Sequence, residues 1–151
     1  VVLLSLIPAA PALAASPTER VVMDYLAAWN MHDASRAAGQ LAYDVQYVEP
    51  GTGRMLAGRD ATRVAVSANF MNAAPDAIWM LRGHHLVDGD KLAFEWEFSG
   101  TNTGIWPNGT APSGKHVVLH GMSIFRVVDG KIVYQADYFD SVEAMKSYNT
   151  M

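Results

Sequence analysis

KHVVLHGMSIFRVVDGKIVYQADYF, residues 115–139, is the stretch that decides the fold. Apolar and polar residues alternate on both sides of Asp129-Gly130, a dipeptide suited to the positive φ angles of a tight hairpin turn. Two long antiparallel strands are therefore expected, Lys115–Val127 and Lys131–Phe139. The same punctuation recurs upstream, where Ile78–Val87 ends at Asp88-Gly89-Asp90 and Lys91–Ser99 follows as a second hairpin. Between the hairpins, Gly100–Gly114 reads as a loop rich in Gly, Pro, Thr and Asn, with Ile105 and Trp106 expected to be buried in it.

Toward the N-terminus the period changes. Val21, Val22, Tyr25, Leu26 and Trp29 recur at helical spacing behind Pro17. His32-Asp33-Ala34-Ser35 breaks that helix and caps a second one carrying Ala37, Ala38 and Leu41. Val45–Glu49 alternates and stops at Pro50-Gly51, as a strand does. Gly58-Arg59-Asp60 opens a third helix running to about Asn72, and Asp140–Glu143 opens a short closing helix. Helices first and strands afterwards define an α+β domain.

The chain has 151 residues, half of them hydrophobic, with a formal net charge of −4 and no cysteine. This suits one globular domain and gives no basic footprint for nucleic acid or an anionic membrane. Val1–Ile7 is apolar, and Ala12 and Ala14 form an A-x-A site before the chain turns polar at Ser16. Residues 1–14 thus match the later part of a secretory signal peptide, too short to span a bilayer. Cleavage after Ala14, a domain over residues 18–151, and a secreted or periplasmic location are expected. The alternative is an apolar N-terminal helix packed on the domain.

Three stretches carry a family likeness. Tyr25-Leu-Ala-Ala-Trp29-Asn-Met-His-Asp33 ends the first helix. Gly100-Thr-Asn-Thr-Gly104 with Pro112-Ser-Gly114-Lys115 is similar to a "GTHTG … PPTGK" loop, Asn102 replacing the usual His. Phe125-Arg-Val-Val-Asp129-Gly-Lys-Ile132, followed by Asp137 and Asp140, is similar to an "FR..DGKI…W…D" ending, with Ala136 where Trp is common. Together they resemble the SnoaL-like polyketide cyclase (ester cyclase) family of the nuclear-transport-factor-2-like superfamily, over nearly all of residues 18–151. The resemblance implies a cone-shaped (cystatin-like) fold: three N-terminal helices packed on a strongly curved antiparallel sheet around one pocket.

Strand alternation then sorts the side chains. Val133, Gln135, Asp137 and Phe139 share a face, as do Val117, Leu119, Gly121, Ser123 and Phe125, and Val45, Tyr47 and Glu49. With the family layout, Tyr47, Glu49, Ser123 and Asp137 turn inward and Tyr25 reaches in from the first helix. The resemblance implies that Asp137 occupies the cyclases' acid/base position. Ser123 stands where cyclases tend to have His and ketosteroid isomerases Asp. Tyr25 and Glu49 match the isomerases' oxyanion-stabilising Tyr and general base. One carboxyl can remove an α-proton and later return it if an apolar cavity raises its pKa. The plainer alternatives are a core aromatic for Tyr25, an exposed strand-end charge for Glu49 and a solvated carboxylate for Asp137.

Trp29, Tyr47, Phe70, Trp96, Trp106 and Phe125 are the candidate substrate-binding residues, Trp106 as a lid. His84, His85, His116 and His120 invite a metal, but His116 and His120 on a strand lie about 13 Å apart, so none is expected. No Gly-rich phosphate loop follows a strand, and no cofactor is expected. Asn108-Gly-Thr110 fits a glycosylation acceptor. Two functions follow. The first is cyclisation or isomerisation of a carbonyl-bearing, polyketide-like substrate; the second is non-catalytic binding of a hydrophobic or aromatic molecule. A homodimer through His116, Val118, His120, Met122 and Ile124 suits either.

Overall fold

The computed structural model describes residues 14–106 and 109–148. The expected leader up to residue 13 and the Asn108 acceptor lie outside them. Ser16 starts the fold: its hydroxyl accepts from the Glu19 N–H while the Glu19 carboxylate accepts from the Ser16 N–H. This capping box, with Pro17 in the first turn, launches α1 (Pro17–Asn30). Asp33 accepts from the Arg36 N–H and caps α2 (Ala34–Gly39). Leu41, expected in that helix, instead begins β1 (Leu41–Glu49), which forms a hairpin with the short β2 (Arg54–Ala57).

The third helix covers the expected stretch without a break but is not regular. It runs as α3 (Arg59–Thr62), a π-helical stretch (Arg63–Ala68) and α4 (Asn69–Ala73). The strands β3 (Ile78–Asp88), β4 (Lys91–Thr101), β5 (His116–Val128) and β6 (Lys131–Phe139) follow. Asp129 and Gly130, with φ of 50° and 71°, make the β5–β6 turn, as a primed turn requires. Asp140 then accepts from the N–H groups of Val142 and Glu143 and opens α5 (Ser141–Tyr148).

The sheet overturns part of the expected architecture. Its six strands lie in the order β2-β1-β6-β5-β4-β3, and β1 pairs with β6 in parallel. It is therefore mixed and open, with edges at β2 and β3, and does not curl round as a strongly curved antiparallel cone. The cause is topological: β1 is laid down among the helices, and only the last strand of the meander returns to its free side. The fold is α+β, with helices before and after the strands.

Alternation holds along β5, where Val117, Leu119, Ser123 and Phe125 are buried and His116, Val118, His120 and Met122 are exposed. It breaks once on β6. Arg126 pairs with Tyr134 but Val127 pairs with Ile132, so Val133 sits at a bulge. A bulge adds one residue and reverses parity. Ile132 takes the buried place, and half-exposed Val133 leaves the face of Gln135 and Asp137.

Candidate active site

Asp137 sits opposite Ser123 in the β5–β6 register. Ser123 Oγ donates to Asp137 Oδ1 at 2.6 Å, and Trp96 Nε1 donates to Ser123 Oγ at 2.8 Å. An indole nitrogen can only donate, so the serine proton has no choice but to point at the carboxylate. Gln135, two residues earlier on the same face, donates its amide to both Asp137 oxygens at 3.1 and 3.0 Å. The Tyr47 phenol also bonds the carboxylate, while Glu49 repels it. Among the described residues no cation compensates its burial, which raises the Asp137 pKa to about 6 against the hydrogen bonds that lower it.

Local structure makes room for this corner. Trp96 pairs with Gly121 across β4 and β5. A Cβ on Gly121 would lie 2.4 Å from the Trp96 ring and 2.4 Å from the Tyr138 carbonyl. On the opposite wall, the Asn30 side chain exchanges two hydrogen bonds, 2.8 and 2.7 Å, with the Trp79 backbone. The end of α1 thereby fixes the Trp79 ring.

Glu49 shares the cavity under different conditions. Thr52 Oγ1 donates to its Oε2 at 2.8 Å, and Arg54 Nε approaches the same oxygen at 3.4 Å. Burial raises its pKa, and Thr52 and Arg54 oppose that rise.

The two carboxyls and Tyr47 are the polar part of one cleft. Trp29, Phe70, Trp79, Trp96, Phe98 and Phe139, with Val66 and Leu119, are the rest. The rings leave about 50 Å³ free, room for a few water-sized groups and far less than a ready-made organic-ligand pocket. An aromatic guest must therefore displace side chains, and Phe70 and Phe139 are the half-exposed ones.

Of the sequence-derived candidates, Asp137, Glu49, Tyr47, Trp29, Phe70 and Trp96 meet at this cleft. Ser123 is fully buried behind Asp137. Tyr25 is also fully buried, packed edge-on against Trp79 and Phe125 at 6.1 and 6.0 Å. Phe125 stacks on Phe94 at 5.7 Å, and Trp106 backs Phe70 and Phe98 at 5.6 and 6.1 Å. Ile105, expected to be buried beside Trp106, is 66% exposed. Trp79, Phe98, Phe139 and Gln135 join the site without being among the candidate site residues, although alternation puts both Gln135 and Phe139 on the Asp137 face. His120 points away from the cleft and bonds Glu97 at 3.2 Å. Among the described residues, no group of three or more His, Cys, Asp or Glu could hold a metal ion.

With this geometry in place, comparison with known proteins gives the family. The model of the SnoaL-like polyketide cyclases matches residues 19–148. The chain belongs to the SnoaL-like polyketide cyclase family. Solved structures agree at the level of the fold. A SnoaL-like protein from Jannaschia sp. CCS1 superposes with a TM-score of 0.80 at 14% identity, covering 95% of this chain and 99% of that one. A cyclase-like protein from Xanthomonas campestris pv. campestris gives 0.70 at 24% identity, covering 88% and 97%. AclR from Streptomyces galilaeus gives 0.72 at 22% identity, covering 89% and 79%. No curated protein matches the sequence. Within this SnoaL-like chain, the site itself has to carry the chemistry.

Proposed function

We propose that this SnoaL-like protein catalyses proton transfer beside the carbonyl of a small aromatic or polyketide-like substrate, leading to cyclisation or isomerisation, with Asp137 as the acid/base. One observation carries the proposal. Asp137 lies at an aromatic cleft, held by neutral donors alone, with a pKa of about 6. A group poised there is ionised often enough to remove an α-proton and is basic enough to do so. Once protonated, the same carboxyl returns the proton to the acceptor oxygen of an aldol closure, or to a distant carbon in an isomerisation. The Tyr47 phenol donates to Asp137 while that carboxyl is ionised, and once Asp137 has taken the proton it turns to the developing oxyanion. Ser123 and Trp96 orient the carboxyl, Glu49 sets the field at the mouth, and Tyr25 acts from behind the wall.

Export after removal of the leader, and pairing of two copies through the outer sheet face, complete this reading. On that face Val118 and Met122 are 41% and 37% exposed. A second reading, ligand binding without chemistry, draws on Ser123 standing where a stronger acid would serve a cyclase.

The test is α-hydrogen exchange in D2O on a panel of aromatic 1,3-dicarbonyl compounds. Wild-type protein should accelerate exchange with a rise through pH 6, and Asp137→Asn should lose at least ~100-fold. Thermal stabilisation by the same compounds that survives Asp137→Asn, without exchange in either protein, would establish the binding module instead.

A further inference from the structure

The free space of the cleft is about 50 Å³, which at about 10–15 Å³ for each water-sized group admits about four of them. Six rings surround it, those of Trp29, Phe70, Trp79, Trp96, Phe98 and Phe139. Their contacts with one another run at interplanar angles from 53° to 87°, and none of these pairs is stacked. Rings inclined in this way present negative π-faces from several directions, the arrangement that holds a methylated ammonium ion. The charge balance points the same way. Asp137 and Glu49 line the space, and among the described residues lining it there is no lysine or arginine. Arg54 sits beside Glu49, 3.4 Å from its Oε2, and offsets that carboxylate. Asp137, which keeps 8% of its surface exposed, is an uncompensated anion once ionised. Tyr47 and Glu49 on β1 and Tyr25 on α1 are the titratable groups coupled to it, and none of them is a cation.

The lone pairs decide which cation fits. Asp137 already accepts from Ser123, from Gln135 at both oxygens and from Tyr47, which uses the roughly four lone-pair sites of a carboxylate. Glu49 Oε2 takes Thr52, with Arg54 beside it. A primary ammonium or a guanidinium brings several N–H donors and would leave most of them unpaired in an apolar cage. A quaternary ammonium brings none; charge and ring faces hold it, and its methyl groups meet the aromatic walls. A trimethylammonium head, one nitrogen with three methyl carbons, also matches the space that is free without moving a ring. We infer that this cleft is a binding site for a quaternary methylammonium group, whose remaining substituent leaves past half-exposed Phe70 and Phe139. The inference needs Asp137 only as an ionised carboxylate and does not rest on its acid/base role.

The experiment is calorimetric titration of the full chain with choline chloride and with its uncharged isostere 3,3-dimethylbutan-1-ol, at constant ionic strength and about two pH units above the Asp137 midpoint, where that carboxyl is ionised. Choline should bind at least ~10-fold more tightly than the isostere. Saturating choline should also lower the Asp137 midpoint from about 6 by at least ~1 pH unit, the direction an adjacent cation imposes. Equal affinity for the two compounds, or no binding of choline, overturns the site. Choline binding with an unmoved Asp137 midpoint overturns it too, because the cation then sits elsewhere. Trp79→Leu, which removes one π-face, should weaken choline by roughly 5-fold and the isostere by less; equal losses refute the cage. If Trp79→Leu does not fold, the wild-type comparison of the two compounds still decides. Failure of the exchange assay on dicarbonyls would remove the acid/base reading and leave a choline result standing, and failure of choline to bind would leave the exchange assay untouched.

Discussion

Two corners of one cleft hold a carboxylate each, and they are built differently. Glu49 lies on the β1–β2 hairpin near the sheet edge, directly across from Arg54 in register and bonded by Thr52. Asp137 lies in mid-sheet, between β1 and β5, among Ser123, Gln135 and Tyr47, with no cation among the described residues to offset its burial. Both pKa values are raised by burial, but only Glu49 has a guanidinium opposing the rise. A buried carboxylate with a cation is an anchor; one with only neutral donors is free to titrate. The contrast assigns the proton-transfer role to Asp137 and a structural and electrostatic role to Glu49.

The largest effect should come from neutralising the mid-sheet carboxyl. Asp137→Asn should cost at least ~100-fold in exchange or turnover without lowering the melting temperature. The sign follows from linkage. The folded-state pKa of about 6 lies above the ordinary Asp value of 3.8, so the folded state holds the proton more tightly. The contribution of Asp137 to stability is therefore greatest below about pH 4, declines between about 4 and 6, and is lowest above that window. The ionised charge costs no more than about 3 kcal/mol at neutral pH. The stability difference between wild type and Asp137→Asn, from denaturant melts, should therefore move against wild type as pH rises across the window. A melting temperature that falls in the variant would make Asp137 structural and break the comparison.

Next in size is Gly121→Ala, whose methyl collides with Trp96 and the Tyr138 carbonyl. It should destabilise by about 1–3 kcal/mol, measured by denaturant melts, and detach the indole from Ser123. Ser123→Ala follows at about 1–2 kcal/mol, since it leaves Trp96 Nε1 unpaired and removes a donor from Asp137. The Asp137 midpoint should rise accordingly. Smallest is Arg54→Met, expected to cost up to about 1 kcal/mol. In a 13C carboxyl titration it should raise the Glu49 midpoint and leave that of Asp137 nearly in place. Equal movement of both midpoints would mean the corners are one coupled unit.

Much of this was legible in the sequence because strand alternation is local. The period of residues 115–139 put Ser123 and Asp137 on one face, and Tyr47 and Glu49 followed from β1. What escaped is non-local or depends on an added residue. Nothing in β1 announces that β6 will lie parallel beside it, so a mixed, open sheet read as antiparallel and curved. The bulge at Val133 and the π-helical stretch around Ser67 each shift the side-chain pattern without a sequence marker. Aromatic content correctly suggested an apolar site. Which rings line it depends on rotamers and packing depth, and so Trp79 and Phe98 stand where Trp106 and Phe125 were expected. Gln135 was on the right face but, being uncharged, drew no chemical attention.

The most direct test is the titration of the Asp137 carboxyl in the wild-type protein, followed through its 13Cγ resonance and assigned with Asp137→Asn. A single midpoint near 6 is the result expected for this buried carboxyl. A midpoint at or below about 4, the ordinary aspartate range, would mean that the carboxyl is solvated or paired with a cation, and would contradict its role as the acid/base group.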